Sequence, residues 1–302
     1  MLLFWIVPIL SSPCDSRCKA QLPNASAVAE RYLNLAMMSL TGSLTEAGTC
    51  NGTVENGVWL GKWSGCDLDI LKPANPQERK QGSAWAPFAI TMVGTLRLQN
   101  IRSAIEAVEA SGVGGDYVET GVWRGGASVF AKLVMDTLFP HQRRRLHCFD
   151  AFETLLPGAG YGSSARARFL ATTLRGVRKN FERYQALDER VHFHRGLFND
   201  TLPAFGIRQR ELKKKIAVLR VDGNFFMAHV DIFYHLYGLV PIGGIVILDD
   251  AFGDATSFLK FMGDTLPSVE RVDVLGGWFR KTRHLNLDAA WYSKALAANT
   301  DK

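Results

Sequence analysis

From Ala84 onward, short apolar runs alternate with stretches in which apolar residues recur every three or four positions, the pattern of strands alternating with helices. Leu98, Ile101, Ile105 and Val108 form one helical stripe, and the glycines from Gly112 to Gly115 end it. Asp116–Glu119 then predicts a short strand, Thr120–Gly126 a glycine-bearing turn and Ala127–Leu138 a helix. A second strand at Leu146–Phe149 ends in Asp150. After it come a helix with Leu170, Leu174, Val177 and Phe181 on one face and a strand at Val191–His194. Ile216–Val221 predicts a strand that ends in Asp222, followed by a helix carrying Phe226, Val230, Phe233 and Tyr237. Ile245–Leu248, the most apolar strand, runs into Asp249 and Asp250. Arg271–Leu275 and Trp278–Leu285, placed about Gly276-Gly277, predict an antiparallel hairpin at one sheet edge. Such alternation predicts an α/β fold with a doubly wound, mostly parallel sheet covered on both faces.

Ahead of Ala84 the pattern differs. Ala27–Leu40 predicts a helix closed at Gly42, whereas residues 41–77 show no period and read as a covering loop rich in Gly, Asn, Ser and Pro. Residues 2–10, LLFWIVPIL, are too short to span a bilayer and have the length of a signal-peptide core. No Lys or Arg precedes them, and SSPCDS is a poor cleavage site. Cys14, Cys18, Cys50 and Cys66 suit two disulfides in an oxidising compartment, a zinc site being the rival with weaker spacing; Cys148 stands alone in a strand. The secretory pathway is the expected location, with the cytoplasm as the alternative. Residues 1–20 are then a signal peptide or anchor, 21–80 a helix and cysteine-bearing cover, 81–290 the α/β domain and 291–302 a tail.

Composition narrows this only slightly. The 302 residues are 47% hydrophobic and carry no repeat, which excludes collagen-like, coiled-coil and wholly disordered chains. The net charge of +6 lies in residues 81–302, because residues 1–80 hold seven Lys/Arg against seven Asp/Glu. That bias is too mild to predict a nucleic-acid partner. Arg143–Arg145 and Lys213–Lys215 read as solvated loops before strands.

In open α/β sheets the ligand sits beyond the carboxyl ends of the strands, so Glu119, Asp150, Asp222 and Asp249-Asp250 are candidates on geometric grounds. The turn after Glu119 holds Gly121, Gly125 and Gly126 but is not G-x-G-x-x-G. With Asp150 it fits a nucleoside whose ribose is held by a carboxylate; a plain tight turn with a solvated Glu119 is the alternative. Asp222, Asp249 and Asp250 would repel one another unless protonated or joined by a cation, and an all-oxygen set favours Mg²⁺ or Mn²⁺ over zinc. The plain alternative has Asp249 or Asp250 capping the next segment.

Read in order, several segments resemble the macrocin O-methyltransferase family of sugar O-methyltransferases, which use S-adenosylmethionine and Mg²⁺. They include Arg31-Tyr-Leu-Asn-Leu35, Val118-Glu-Thr-Gly-Val-Trp-Arg-Gly-Gly126, Phe149-Asp-Ala-Phe-Glu153, Leu219-Arg-Val-Asp-Gly223, Gly243–Asp250 and Trp278-Phe-Arg-Lys281. The resemblance runs from about Glu30 to Lys281. It implies a Rossmann-like class I methyltransferase domain over 81–290, with Thr91 and Met92 closing over the cofactor. It further implies Glu119, Thr120 and Gly121 at the methionine end, and Asp150 as the ribose carboxylate. Asp222, Asp249 and Asp250 would hold the metal, Asp222 also serving as general base for methyl transfer to a sugar or other vicinal diol. The implied acceptor is a small molecule or glycan; self-association is left open.

Asn224 stands where the family has a second Asp, Ala151 where Ser is usual, and Ala251-Phe252 follows the Asp pair where Tyr is usual. His229, one turn into a helix, reads as a structural histidine or as facing the acceptor; His194 reads as approaching the adenine or facing solvent. Two rival functions stand beside this one: a non-catalytic secreted or luminal binding protein derived from the same fold, and a nicotinamide-dependent oxidoreductase resting on the glycine turn and Asp150 alone.

Overall fold

The computed structural model describes residues 24–44, 50–51, 54–55, 58–59, 75–86, 88–153 and 170–300. Its centre is a seven-stranded sheet made of β1 (Asp116–Thr120), β2 (Leu146–Asp150), β3 (Val191–Arg195), β4 (Ile216–Val221), β5 (Ile245–Leu248), β6 (Glu270–Arg271) and β7 (Gly277–Arg280). The strand order is 3-2-1-4-5-7-6. Strands β1 to β5 pair in parallel, and β7 runs antiparallel to β5 and β6. Every residue of β4 and β5 is buried, as expected of central strands covered on both faces, and so these strands read as apolar runs broken only by Arg220.

The helices divide between the two faces. On one side, α1 (Ala25–Leu40), α3 (Thr95–Ala110), α4 (Gly126–Leu138) and α5 (Leu174–Arg183) pack over Tyr117, Leu146, Cys148, Val218, Ile245 and Ile247. On the other, α6 (Phe198–Glu211), α7 (Phe226–Leu236), α8 (Thr256–Met262) and α9 (Ala289–Thr300) cover Val118, Phe149, Leu219, Val221, Val246 and Leu248. The short α2 (Pro76–Gln81) lies beside α3. Burying each large apolar side chain contributes about 1.5–3 kcal/mol against chain entropy, so both faces must be covered.

The element ends follow local chemistry. The Asn24 side chain accepts from Ala27 N–H and starts α1 slightly before the expected Ala27. Thr173 caps α5 by accepting from Gly176 N–H, so Leu170 lies ahead of that helix rather than on it. The hairpin is shorter than Trp278–Leu285 implied: β7 stops at Arg280, and Lys281 turns inward to donate to Tyr237 O and Val240 O.

Four helices escaped the reading of the pattern. α2 and α8 are too short to show a period, and α6 carries Pro203 in its interior. The expected tail, 291–302, instead lies largely within α9 (Ala289–Thr300), with Ala295 fully buried and Trp291 against Phe261. Within 41–77, Cys50–Asn51 pairs with Ala84–Trp85 and Val54–Glu55 with Val58–Trp59; two-residue ladders leave no alternation to read. Residues 2–10, Cys14, Cys18 and Cys66 lie outside the described residues, as does the Cys50 side chain, and Cys148 is a free buried thiol. No described helix is long and apolar enough to cross a membrane.

Candidate active site

A cavity of about 310 Å³ opens at the carboxyl edge of the sheet. Gly121, Asp150, Gly196 and Asp222, which follow or end β1, β2, β3 and β4, line it together with the first turns of α6 and α7. Gly121 has φ +85°, and a Cβ there would lie 2.0 Å from Asp222 O, so only glycine lets the ends of β1 and β4 approach this closely. The Asp150 carboxylate ties the neighbouring turn down. Its Oδ2 accepts from Val122 N–H (2.8 Å) and Trp123 N–H (3.0 Å), and its Oδ1 from Phe152 N–H (2.8 Å). Burial raises its pKa, and these three N–H groups oppose the rise.

Beneath the cavity lies a buried ion network. Arg220 donates from Nη1 to Glu119 Oε1 (2.9 Å) and from Nη2 to Asp222 Oδ2 (3.2 Å), and Nη2 also reaches Asp249 Oδ1 at 2.5 Å. Arg97, from α3, donates to Asp249 Oδ2 (2.9 Å) and to Asp273 Oδ2 (2.8 Å). One oxygen from each of Asp222, Asp249 and Asp250 lies within 4.8 Å of the others. Five carboxylates therefore face two guanidinium groups, an excess of negative charge. Burial and the neighbouring Asp249 raise Asp222 well above the carboxylate range. Burial, Asp249 and Asp254 push Asp250 up to about 7. Burial would raise Asp249 as well, but Arg220 and Arg97 outweigh it and hold it below the usual value. Crowded carboxylates that can ionise together only with added positive charge fit a divalent cation bound through oxygen.

The residues expected to contact the cofactor separate into two groups. Met92, Gly121 and Asp150 line the cavity. Thr91, Glu119 and Thr120 do not: all three are buried and engaged elsewhere. Thr91 Oγ1 accepts from Val93 N–H, and Thr120 Oγ1 donates to Arg220 O. Glu119 serves Arg220 and sits one layer below the ligand space. Asp222 lines the cavity and belongs to the carboxylate cluster, while Asp249 and Asp250 belong to the cluster alone.

The histidines are structural. His229 is 1% exposed, its Nδ1 lies 3.0 Å from Phe225 O, and its ring stacks on Phe258. His194 stacks on Phe149 and meets His147 under α6, away from the cavity. Pattern reading missed Arg97 and Arg220, although a lone arginine inside the apolar run Ile216–Val221 signals a buried charge that needs partners. It also missed Trp123, Leu197 and Phe198, which line the cavity from loops and a helix start, and Asp231, which lines it from within α7.

Residues 29–282 match the macrocin-O-methyltransferase (TylF) family. The chain belongs to that family. A tetracenomycin-C rhamnosyl 4'-O-methyltransferase of Streptomyces olivaceus is 40% identical over 186 residues, covering 59% of this chain and 68% of that protein. Demethyldecarbamoylnovobiocin O-methyltransferase of Streptomyces niveus is 36% identical over 221 residues, 68% of this chain and 80% of that protein. The solved structure of the O-methyltransferase NovP superposes with TM-score 0.68 at 29% identity, covering 84% of this chain and all of that one. As a macrocin-O-methyltransferase family member with the class I methyltransferase fold, the chain is an S-adenosylmethionine-dependent O-methyltransferase.

Proposed function

We propose that this enzyme methylates a hydroxyl of a sugar or other vicinal diol, with Mg²⁺ or Mn²⁺ held by Asp222, Asp249 and Asp250. The observation that carries the reading is the position of Asp222, which both lines the cavity and belongs to the carboxylate cluster. S-adenosylmethionine supplies an electrophilic methyl group, and a divalent cation supplies Lewis-acid stabilisation of an acceptor oxygen. The chain itself orients and deprotonates. Asp222, anchored through Oδ2 by Arg220, would in its ionised form take the acceptor hydroxyl's proton. Gly121 and Asp150 fix the turn against which the donor lies, so that positioning lowers the barrier. Met92 and Trp123 close apolar surface over the same space and exclude water. The relatives named above act on sugar-bearing natural products, which supports a glycoside acceptor.

The test pairs calorimetry with turnover. Purified protein should bind S-adenosylmethionine and methylate a member of a panel of glycosides with adjacent hydroxyls. Chelation with EDTA should stop turnover, Mn²⁺ should restore it, and Asp222→Asn should lower it by about a thousandfold. Turnover unaffected by EDTA would remove the metal from the reading; absence of cofactor binding would remove the reading itself. Residues 2–10 and the four N-terminal cysteines support placement in the secretory pathway, which N-terminal sequencing of protein from a secretory host tests.

A further inference from the structure

One buried acid in the cavity wall belongs neither to the carboxylate cluster nor to a strand end. Asp231 lies on α7 and, with Met227 and Ala228, forms the face of that helix that lines the cavity. It is 8% exposed. Its Oδ1 accepts the Tyr292 hydroxyl from α9 at 2.6 Å, and no Lys, Arg or His among the described residues pairs with it. Burial raises its pKa, and the Tyr292 hydrogen bond opposes the rise. A nearly buried carboxylate without a cation is costly, and such a group beside a cavity is a candidate for ligand recognition.

The strand order limits which part of the ligand reaches it. Along the carboxyl edge the sheet runs β4, β1, β2, β3. A nucleoside whose ribose lies at Asp150 extends its base toward the chain leaving β3, where Gly196 leads through Leu197 into α6. Leu197 is 46% exposed there, and Phe198, Phe225 and Met227 are half-buried, giving an apolar slot suited to a flat heteroaromatic ring. An ionised carboxylate beside that slot only accepts hydrogen bonds, so it selects a base edge that donates. In S-adenosylmethionine the donor on the base is the exocyclic amine.

We propose that Asp231, oriented by Tyr292, is the carboxylate that reads the adenine amine of the methyl donor. The C-terminal helix α9 thereby takes part in cofactor recognition, with Tyr292 as a positioning residue. The proposal rests on the methyl-donor reading above, but it concerns binding alone and needs neither metal nor acceptor.

The experiment measures binding of S-adenosylhomocysteine and S-inosylhomocysteine to the full chain by calorimetry. The inosyl analogue presents a carbonyl where adenine presents its amine. The native protein should prefer the adenosyl ligand by about 30-fold, because the carbonyl would face a carboxylate. An amide can either accept or donate, so Asp231→Asn should shrink the preference to about threefold or less. Tyr292→Phe should weaken adenosyl binding by about threefold to tenfold while the preference keeps its direction. Equal binding of both ligands by the native protein overturns the proposal, as does a preference unchanged in Asp231→Asn. If Asp231→Asn does not fold, the native preference and the Tyr292→Phe measurement still decide it, and adenosyl binding unaltered by Tyr292→Phe rejects the positioning role. A native protein that binds neither ligand overturns the methyl-donor reading instead, so the two failures are distinct.

Discussion

Arg220 Nη1 lies 2.9 Å from Glu119 Oε1, joining the acid at the end of β1 to the carboxylate cluster at the ends of β4 and β5. The guanidinium is the only described group that touches Glu119, Asp222 and Asp249 together. Arg220→Met leaves buried carboxylates uncompensated and should destabilise the fold by about 3–5 kcal/mol in denaturant unfolding. Arg220→Lys restores the charge without the two-pronged geometry, so it should recover part of the stability yet lower Mn²⁺ affinity by about tenfold. A native unfolding midpoint in Arg220→Met would contradict this account.

The metal-free protein should lose stability as pH rises from about 6 to 8. Asp250, pushed up to about 7, holds its proton more tightly in the folded chain than in the unfolded one. Its contribution is complete below the ordinary value of 3.8 and disappears as pH rises through about 7. Asp222, also raised, acts in the same direction, whereas the lowered Asp249 matters only in acid. Melting temperatures across this range should fall without metal and flatten with Mn²⁺, which binds the ionised cluster. A melting temperature that climbs with pH in the absence of metal would count against the cluster's charge excess.

Gly121→Ala should abolish cofactor binding while leaving a folded protein. The added methyl would sit 2.0 Å from Asp222 O in a left-handed backbone conformation that costs alanine about 1–2 kcal/mol. The ends of β1 and β4 must part, and the cavity floor moves with them. Calorimetric affinity for S-adenosylhomocysteine within threefold of native would refute this.

Lys281→Met should act on stability alone. The ammonium group donates to Tyr237 O and Val240 O, and sits 4.1 Å from the Tyr237 ring centroid. Two buried carbonyls would lose their donor, at about 2–3 kcal/mol in denaturant unfolding. Affinity for S-adenosylhomocysteine should stay native; a large change there would mean that the chain beyond β7 also shapes the cavity.

The sheet was legible because its central strands are buried on both faces, so that Ile245–Leu248 is an uninterrupted apolar run and Ile216–Val221 one broken only by Arg220, each with an acid at its end. The same logic singled out Asp150, Asp222, Asp249 and Asp250, of which Asp150 and Asp222 line the cavity and the last three form the carboxylate cluster. Glu119, singled out by the same logic, and Thr120, implied by the family resemblance, do not line the cavity, because a strand's last residues alternate between faces and spacing alone does not say which of them reaches the ligand. Asp231 and Tyr292 were illegible for another reason. Their meeting depends on α9 folding back onto α7, and the small residues Ala295 and Ala298 give α9 only a faint apolar stripe.

The sheet also separates the interior into two halves with different freedom to vary. Side chains of α4 and α5, and those of α3 other than Arg97, form a scaffold whose drift would register as altered stability. Those of α6 and α7 reach both the opposite core and the cavity wall, so comparable drift there would register as altered ligand choice. A lineage built on this plan can change its small-molecule repertoire by repacking one side of the molecule while the other keeps the strands in register.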